Sequence, residues 1–187
     1  MNRYCTCFLF VGRLTLQTRL DTILRTLAHV DGDWRLDVLG DGPQRHGLES
    51  LAGSLDLSER ALFHGWVSGE EVIAAMQAAD WLLLPSTVEG LSMACLQAGS
   101  LGLPVLSADT PRLRRFIEPG VTGLLVGEGV ASWLDALNDV IAHPGQSAAM
   151  RQHSHETLHA NDGLPTSLEM HLEVFQALAK KYSQSAS

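Results

Sequence analysis

A chain of 187 residues that is 45% hydrophobic holds apolar material for one well-packed core and is too short for two ordinary ones. Its net charge of -8, with thirteen Lys and Arg residues scattered and forming no basic stripe, argues against nucleic-acid binding and turns attention to small molecules or protein as partners. The three cysteines, Cys5, Cys7 and Cys95, lack C-x-x-C spacing, which argues against a disulfide framework or a zinc site; the apolar run at 7–11 is too short for a signal-peptide core or a membrane span, so a cytoplasmic location is expected.

Short apolar runs alternate with helical patterns along most of the chain, the signature of strand–helix units around a parallel sheet buried on both faces. Strands are predicted at 8–11, 36–39, 61–63, 81–84, 105–106 and, after a turn at Gly120, 124–126. Between them Leu20, Ile23, Leu24 and Leu27 recur at helical spacing, as do Val72, Ile73, Met76 and Ala79, and later Trp133, Leu137 and Val140; these stripes are expected to pack on the sheet. After His143-Pro144-Gly145 the alternation ends. Two helices are predicted at 147–159 and 166–182, separated by the breaker Asn161-Asp162-Gly163-Leu164-Pro165, and the second carries Leu168, Leu172, Phe175 and Ala179 on one face. The expectation is an α/β chain: a single Rossmann-like domain over 1–182, its parallel sheet covered by helices on both faces, with a helical C-terminal tail and disordered residues at 183–187.

Ligands of open parallel sheets bind beyond the carboxyl ends of the strands, so the loops that follow them come first. They read Gly12-Arg13-Leu14, Gly40-Asp41-Gly42-Pro43, His64-Gly65, and a longer segment from Pro85 to Ser92. Glu89-Gly90 followed by Leu91, Ser92 and Met93 would set a glycine and the first backbone N–H groups of a helix at the rim, where unpaired N–H groups hold a phosphate. Arg13 would supply the matching cation, since a guanidinium fits a diphosphate. Glycine-rich turns also close strand–helix loops for steric reasons alone, so spacing leaves an anion site and a structural turn both open.

These loops, together with Phe63-His64-Gly65, Ala98-Gly99-Ser100-Leu101-Gly102-Leu103-Pro104-Val105 and Gly120-Val121-Thr122-Gly123-Leu124-Leu125-Val126, resemble in order the C-terminal domain of glycosyltransferase family 4. The resemblance implies the C-terminal half of a GT-B fold, holding a nucleoside-diphosphate sugar, UDP- or GDP-linked, as donor for a transfer that retains the anomeric configuration without a metal or other cofactor. It makes Arg13 a diphosphate ligand, Glu89 the catalytic carboxylate near the donor sugar, Gly90, Leu91 and Ser92 the backbone near the phosphates, and Trp66 and Val67 contacts to the base. Departure of a nucleoside diphosphate builds negative charge, which a helix start and an arginine stabilise in advance. The family's N-terminal domain has no counterpart in this sequence. A truncated half is therefore expected to bind donor yet transfer little without a separate N-terminal Rossmann-like partner.

Two positions depart from the family pattern. Its second glutamate, which accepts hydrogen bonds from ribose hydroxyls, is Gln97 here; an amide keeps one carbonyl acceptor and loses the charge. Its phosphate-binding Lys-Gly pair is Thr18-Arg19, with Arg19 one position later than the lysine. Arg19 is either a replacement phosphate ligand or a solvated residue behind a helix capped by Thr18.

Other readings compete. His155-Glu156-Thr157-Leu158-His159 matches H-E-x-x-H, which on a helix would hold zinc with the glutamate as base of a metalloprotease. No longer H-x-x-G-x-x-H extension accompanies it, and third ligands are limited to Glu169, His171 or Glu173, so a histidine-rich exposed helix is the plainer alternative. A non-catalytic nucleotide-sugar-binding or interaction protein is a further alternative. His64 and Asp41 fit structural roles, and Cys95 fits a buried small side chain.

Overall fold

The structure of the protein, a computed structural model, describes residues 5–86 and 93–160 and the side chains of these up to residue 152. The chain divides into two compact units, residues 1–154 and 155–187. The first holds the whole sheet; of the second, residues 155–160 are described, as helix. The predicted helix at 166–182 and tail at 183–187 lie outside the described residues.

Six strands form one parallel sheet: β1 (Thr6–Val11), β2 (Trp34–Leu39), β3 (Ala61–Gly65), β4 (Trp81–Leu84), β5 (Val105–Ala108) and β6 (Gly123–Val126). Their order across the sheet is β3-β2-β1-β4-β5-β6. Each contains the strand expected from the sequence. The helices are α1 (Leu20–Leu27), α2 (Arg45–Ser54), α3 (Gly69–Ala78), α4 (Met93–Ser100), α5 (Val130–Ala142) and α6 (Gly145–Ala160), with short 3-10 turns at Leu16–Thr18 and Leu113–Arg115. The Rossmann-like α/β expectation holds. Because successive connections run one way from β1 to β3 and the other way from β4 to β6, the order reverses between β1 and β4, and a crevice opens there.

Alternation of side chains along the strands feeds two cores. Phe8, Phe10, Trp34, Leu36, Val38, Leu83 and Leu106 face α1, α2 and α5, which contribute Ile23, Leu24, Leu48, Trp133 and Leu137. Leu9, Leu39, Leu82, Leu84 and Val105 face α3 and α4, which contribute Met76, Ala94, Cys95 and Ala98. The central strands β4 and β5 are buried at every position, which is why they read as unbroken apolar runs.

Two local readings are corrected. Ile73 belongs to the expected α3 stripe, yet it is 42% exposed while Met76 and Ala79 are buried. It sits about 100° around the helix from Val72, and α3 rests on the sheet along a narrow line, so only one of those neighbours turns inward. Thr18 does not cap α1: its hydroxyl donates to the Thr15 carbonyl at 2.8 Å and accepts from the Thr15 N–H, closing the 3-10 turn, and the N-cap of α1 is Arg19, without a side-chain cap.

Other contacts fix the frame. Ser68 and Glu71 form a capping box at the start of α3, Ser68 N–H donating to the Glu71 carboxylate at 2.8 Å, and this bond holds the Glu71 carboxyl below its ordinary range. Arg60 stacks on the Trp34 ring at 3.8 Å from its centroid and donates to the carbonyls of Trp34 and Gly32. Arg151, on α6, donates to the carbonyls of Ala79 at 2.7 Å, Leu101 at 3.4 Å and Met76 at 3.5 Å.

Candidate functional site

The loop Gly12-Arg13-Leu14 is held from both ends. Gly12 N–H donates to the Leu39 carbonyl at 3.0 Å, Leu14 N–H to the Asp41 carbonyl at 2.9 Å, and Gln44 N–H to the Leu14 carbonyl at 3.0 Å, so pairing between β1 and β2 continues past the strand ends. Leu14 is fully buried. With its neighbours pinned, Arg13 is left exposed at the carboxyl end of β1, and among the described residues its guanidinium makes no hydrogen bond or ion pair.

Gly40-Asp41-Gly42-Pro43 is the other side of this lacing. A Cβ on Gly40 or on Gly42 would run into the backbone of Gly12 or Leu14, and Gly40 has φ +140°. Asp41 accepts from Gly42 N–H at 2.6 Å and from Arg45 at 3.2 Å, and these bonds, the backbone one first, hold its carboxyl below the ordinary range. The loop is a brace for the Arg13 loop, in agreement with the structural reading of Asp41.

A cleft of about 290 Å³ opens at the point where the strand order reverses. Arg13 and Thr18 stand on the β1 side; Pro85 and Ser86 follow β4; and Met93, Ala94 and Gln97 present one face of α4. Its size is at the lower end of small-molecule sites, roughly 300–1,000 Å³. It sets the Arg13 cation and the Gln97 amide against a mostly apolar lining with a floor from Phe10, Val11 and Leu84, so these two side chains are the donors an oxygen-rich anion would meet.

The structure thus brings Arg13 and Gln97 into one cavity. Arg19 lines a second cavity, and its guanidinium donates to Thr22 at 3.3 Å. Trp66, 85% exposed, projects from the loop after β3 and does not line the cleft, while Val67 packs on the α3 side of the core. Glu89, Gly90, Leu91 and Ser92 lie outside the described residues. So do the side chains of His155, Glu156 and His159, whose backbone is part of α6. Among the described residues no three His, Cys, Asp or Glu side chains gather as a metal would require, and no helix is long and apolar enough to cross a membrane.

Thr18 and Ser86 are lining residues that the sequence had not marked as ligands. Thr18 belongs to the pair that departs from the family's Lys-Gly and Ser86 lies inside the segment after β4, which is the signal that would have found them. His64 bonds Asp37 through Nε2 at 2.7 Å on the neighbouring strand, a structural pairing. Cys95 is buried behind the cleft, and burial pushes its thiol up to about 11.

The family model described as glycosyl transferases group 1 matches residues 6–157. The lipopolysaccharide 1,6-galactosyltransferase of Salmonella typhimurium is 31% identical over 172 residues, covering 89% of this chain and 45% of that protein. The D-inositol 3-phosphate glycosyltransferase of Nocardia farcinica is 35% identical over 143 residues, covering 71% of this chain and 32% of that protein. Among solved structures, the apo form of the lipopolysaccharide outer core galactosyltransferase WaaB aligns with a TM-score of 0.68 at 29% identity, over 79% of this chain and 45% of that one. The Anabaena protein HepE in complex with UDP-glucose aligns with a TM-score of 0.74 at 20% identity, over 91% of this chain and 48% of that one. The chain spans less than half the length of these relatives.

Proposed function

The chain belongs to the group 1 glycosyltransferases, and from that premise we propose that it binds the nucleoside-diphosphate-sugar donor of a retaining sugar transfer. The observation that carries this reading is the cleft at the β1/β4 reversal, where an exposed arginine with no bond of its own among the described residues faces the α4 flank bearing Gln97. The shared fold with HepE, whose crystal holds UDP-glucose, adds support.

In this reading Arg13 pairs with the diphosphate, two parallel N–H donors meeting two phosphate oxygens. As the bond from the sugar to the diphosphate breaks, charge grows on those oxygens, and a guanidinium already in place stabilises it without rearrangement. No protein nucleophile takes part in that step. Gln97 offers its carbonyl to the ribose hydroxyls, and the base extends beyond the cleft to meet the loop of Trp66 and Val67, which lies outside the cleft lining. The family resemblance assigns Glu89 to the donor sugar and the backbone N–H groups of Gly90, Leu91 and Ser92 to the phosphates. To meet the same phosphates, Arg19 has to leave Thr22. The acceptor and a second Rossmann-like half complete the reaction, so the chain by itself binds donor and turns it over little.

Calorimetric titration with UDP and with GDP tests the proposal. Saturable binding of one nucleotide, weakened about tenfold by Arg13→Ala, a loss of about 1.4 kcal/mol, is expected. No binding into the millimolar range by a folded sample would overturn it and leave a non-catalytic interaction protein as the better account.

A further inference from the structure

A second cavity, of about 180 Å³, lies at the carboxyl ends of β4, β5 and β6 beside the start of α5, and of the residues lining the first cleft it shares only Pro85. Its walls are Arg19 and Thr22 from α1 and its N-cap, Asp109 after β5, Glu128 in the bare Gly127-Glu128-Gly129 loop, and Trp133. We propose that this cavity binds a single uncharged pyranose ring, with Arg19 donating to its hydroxyls and Asp109 and Glu128 accepting from them. The inference rests on reading the first cleft as a donor site, since it gives the sugar being transferred or receiving transfer a place beside it.

Size comes first. A site well under the roughly 300 Å³ at which drug-sized pockets begin does not take a whole nucleotide sugar and suits one ring. Charge comes second. Asp109 is gripped by Arg114 through Nε and, at 2.8 Å, through Nη2, which cancels its charge at longer range yet leaves lone pairs over on both oxygens. Glu128 is exposed and makes no ion pair among the described residues. A phosphate entering here would gain Arg19 but face the Glu128 carboxylate and the acceptor oxygens of Asp109, whereas a neutral diol meets a donor and two acceptors, and each hydroxyl both gives and takes a hydrogen bond.

Preorganisation comes third. Arg19 has φ 54°, a conformation that side-chain-bearing residues rarely adopt, and Thr22, itself buried, holds its guanidinium. At the mouth Gly129, with φ +94°, leaves open space where a side chain would stand. Behind it Trp133, 3% exposed, forms a rigid aromatic wall.

In the full chain the indole N–H resonance of Trp133, which lines the second cavity, reports on the sugar, and that of Trp66, outside the first cleft where the nucleotide base is proposed to reach, reports on the nucleotide. Titration with methyl α-galactoside and methyl α-glucoside is expected to move Trp133 and leave Trp66 in place, and UDP to do the reverse. If the ring arrives as part of the donor, UDP-galactose or UDP-glucose moves both resonances where UDP moves one; if it belongs to the acceptor, the methyl glycoside still moves Trp133 with UDP-sugar saturating. Glu128→Gln should weaken the sugar-induced shift of Trp133 about tenfold and leave UDP affinity unchanged. The inference is overturned if neither glycoside nor UDP-sugar moves Trp133 while UDP moves Trp66, a result that leaves the donor site standing. A Trp133 shift with glycoside and no UDP binding would instead remove the donor site and keep this cavity.

Discussion

A Cβ added to Gly40 would collide with the carbonyl oxygen of Gly12, and it would stand 2.9 Å from that carbonyl carbon. The two glycines let the loops after β1 and β2 lie backbone to backbone, and the position of Arg13 depends on that closeness. Gly40→Ala is therefore expected to destabilise the fold by about 3 kcal/mol, because the clash is with backbone and the φ of +140° is unfavourable besides. Urea unfolding measures the loss. Nucleotide affinity should fall with it, and an alanine variant as stable as the parent would show that the loops part without cost.

Arg19 occupies a backbone conformation suited to glycine. The left-handed region costs a residue with a Cβ roughly 1–2 kcal/mol, and part of any gain from glycine returns to the unfolded chain, so Arg19→Gly should stabilise by about 0.5 kcal/mol. Arg19→Ala keeps the strain, loses the bond to Thr22 and should not stabilise. Paired urea midpoints of the two variants separate backbone from side chain.

The carboxyls of Asp41, Glu71 and Asp109 are all held below their ordinary range, by Gly42 N–H, by Ser68 N–H and by Arg114 respectively. Each binds a proton less readily folded than unfolded, so its contribution is fully present above the ordinary carboxylate range, about pH 4, and is lost as pH falls through the folded values. Arg114→Ala should raise the acid-unfolding midpoint followed by circular dichroism at low salt, and by less at high salt, since the pair is exposed.

Cys95 sits buried on α4 with its thiol pushed up to about 11, so almost none of it is thiolate near neutrality. Alkylation at pH 8 followed by mass spectrometry should label Cys5 and Cys7, half-buried and also raised, slowly, and Cys95 only when the protein is unfolded. Rapid labelling of Cys95 in the folded protein would mean that α4 opens readily.

The strands were legible because buried parallel strands such as Trp81-Leu82-Leu83-Leu84 carry no polar interruption, and because turns rich in glycine bound them. α2 was not: it buries only Leu48 and Ala52, and Gly47 and Gly53 break its pattern, so nothing in Arg45–Ser54 repeats strongly enough to stand out. The capping box of Ser68 and Glu71 is present in the sequence as S-x-x-E at the start of α3. At the site, the strand-end rule pointed to the loop bearing Arg13, whereas Gln97, on α4, was reached only through the resemblance; both line one cavity. The second cavity could not be read from the sequence, since Arg19, Asp109 and Glu128 are distant along the chain and converge only through the strand order.

Arg151 gives the chain a timetable. The last carbonyls of a helix have no partner within it, and the end of α3 draws its partner from a guanidinium more than seventy residues downstream, which also reaches the turn after α4 from fifty residues away. During synthesis β1 to β4 can pair before that residue exists, and the C-terminal turn of α3 is expected to stay frayed until it emerges. A protease acting on a chain stopped short of Arg151 should find its first cut near Ala79, and the same chain extended through α6 should resist there.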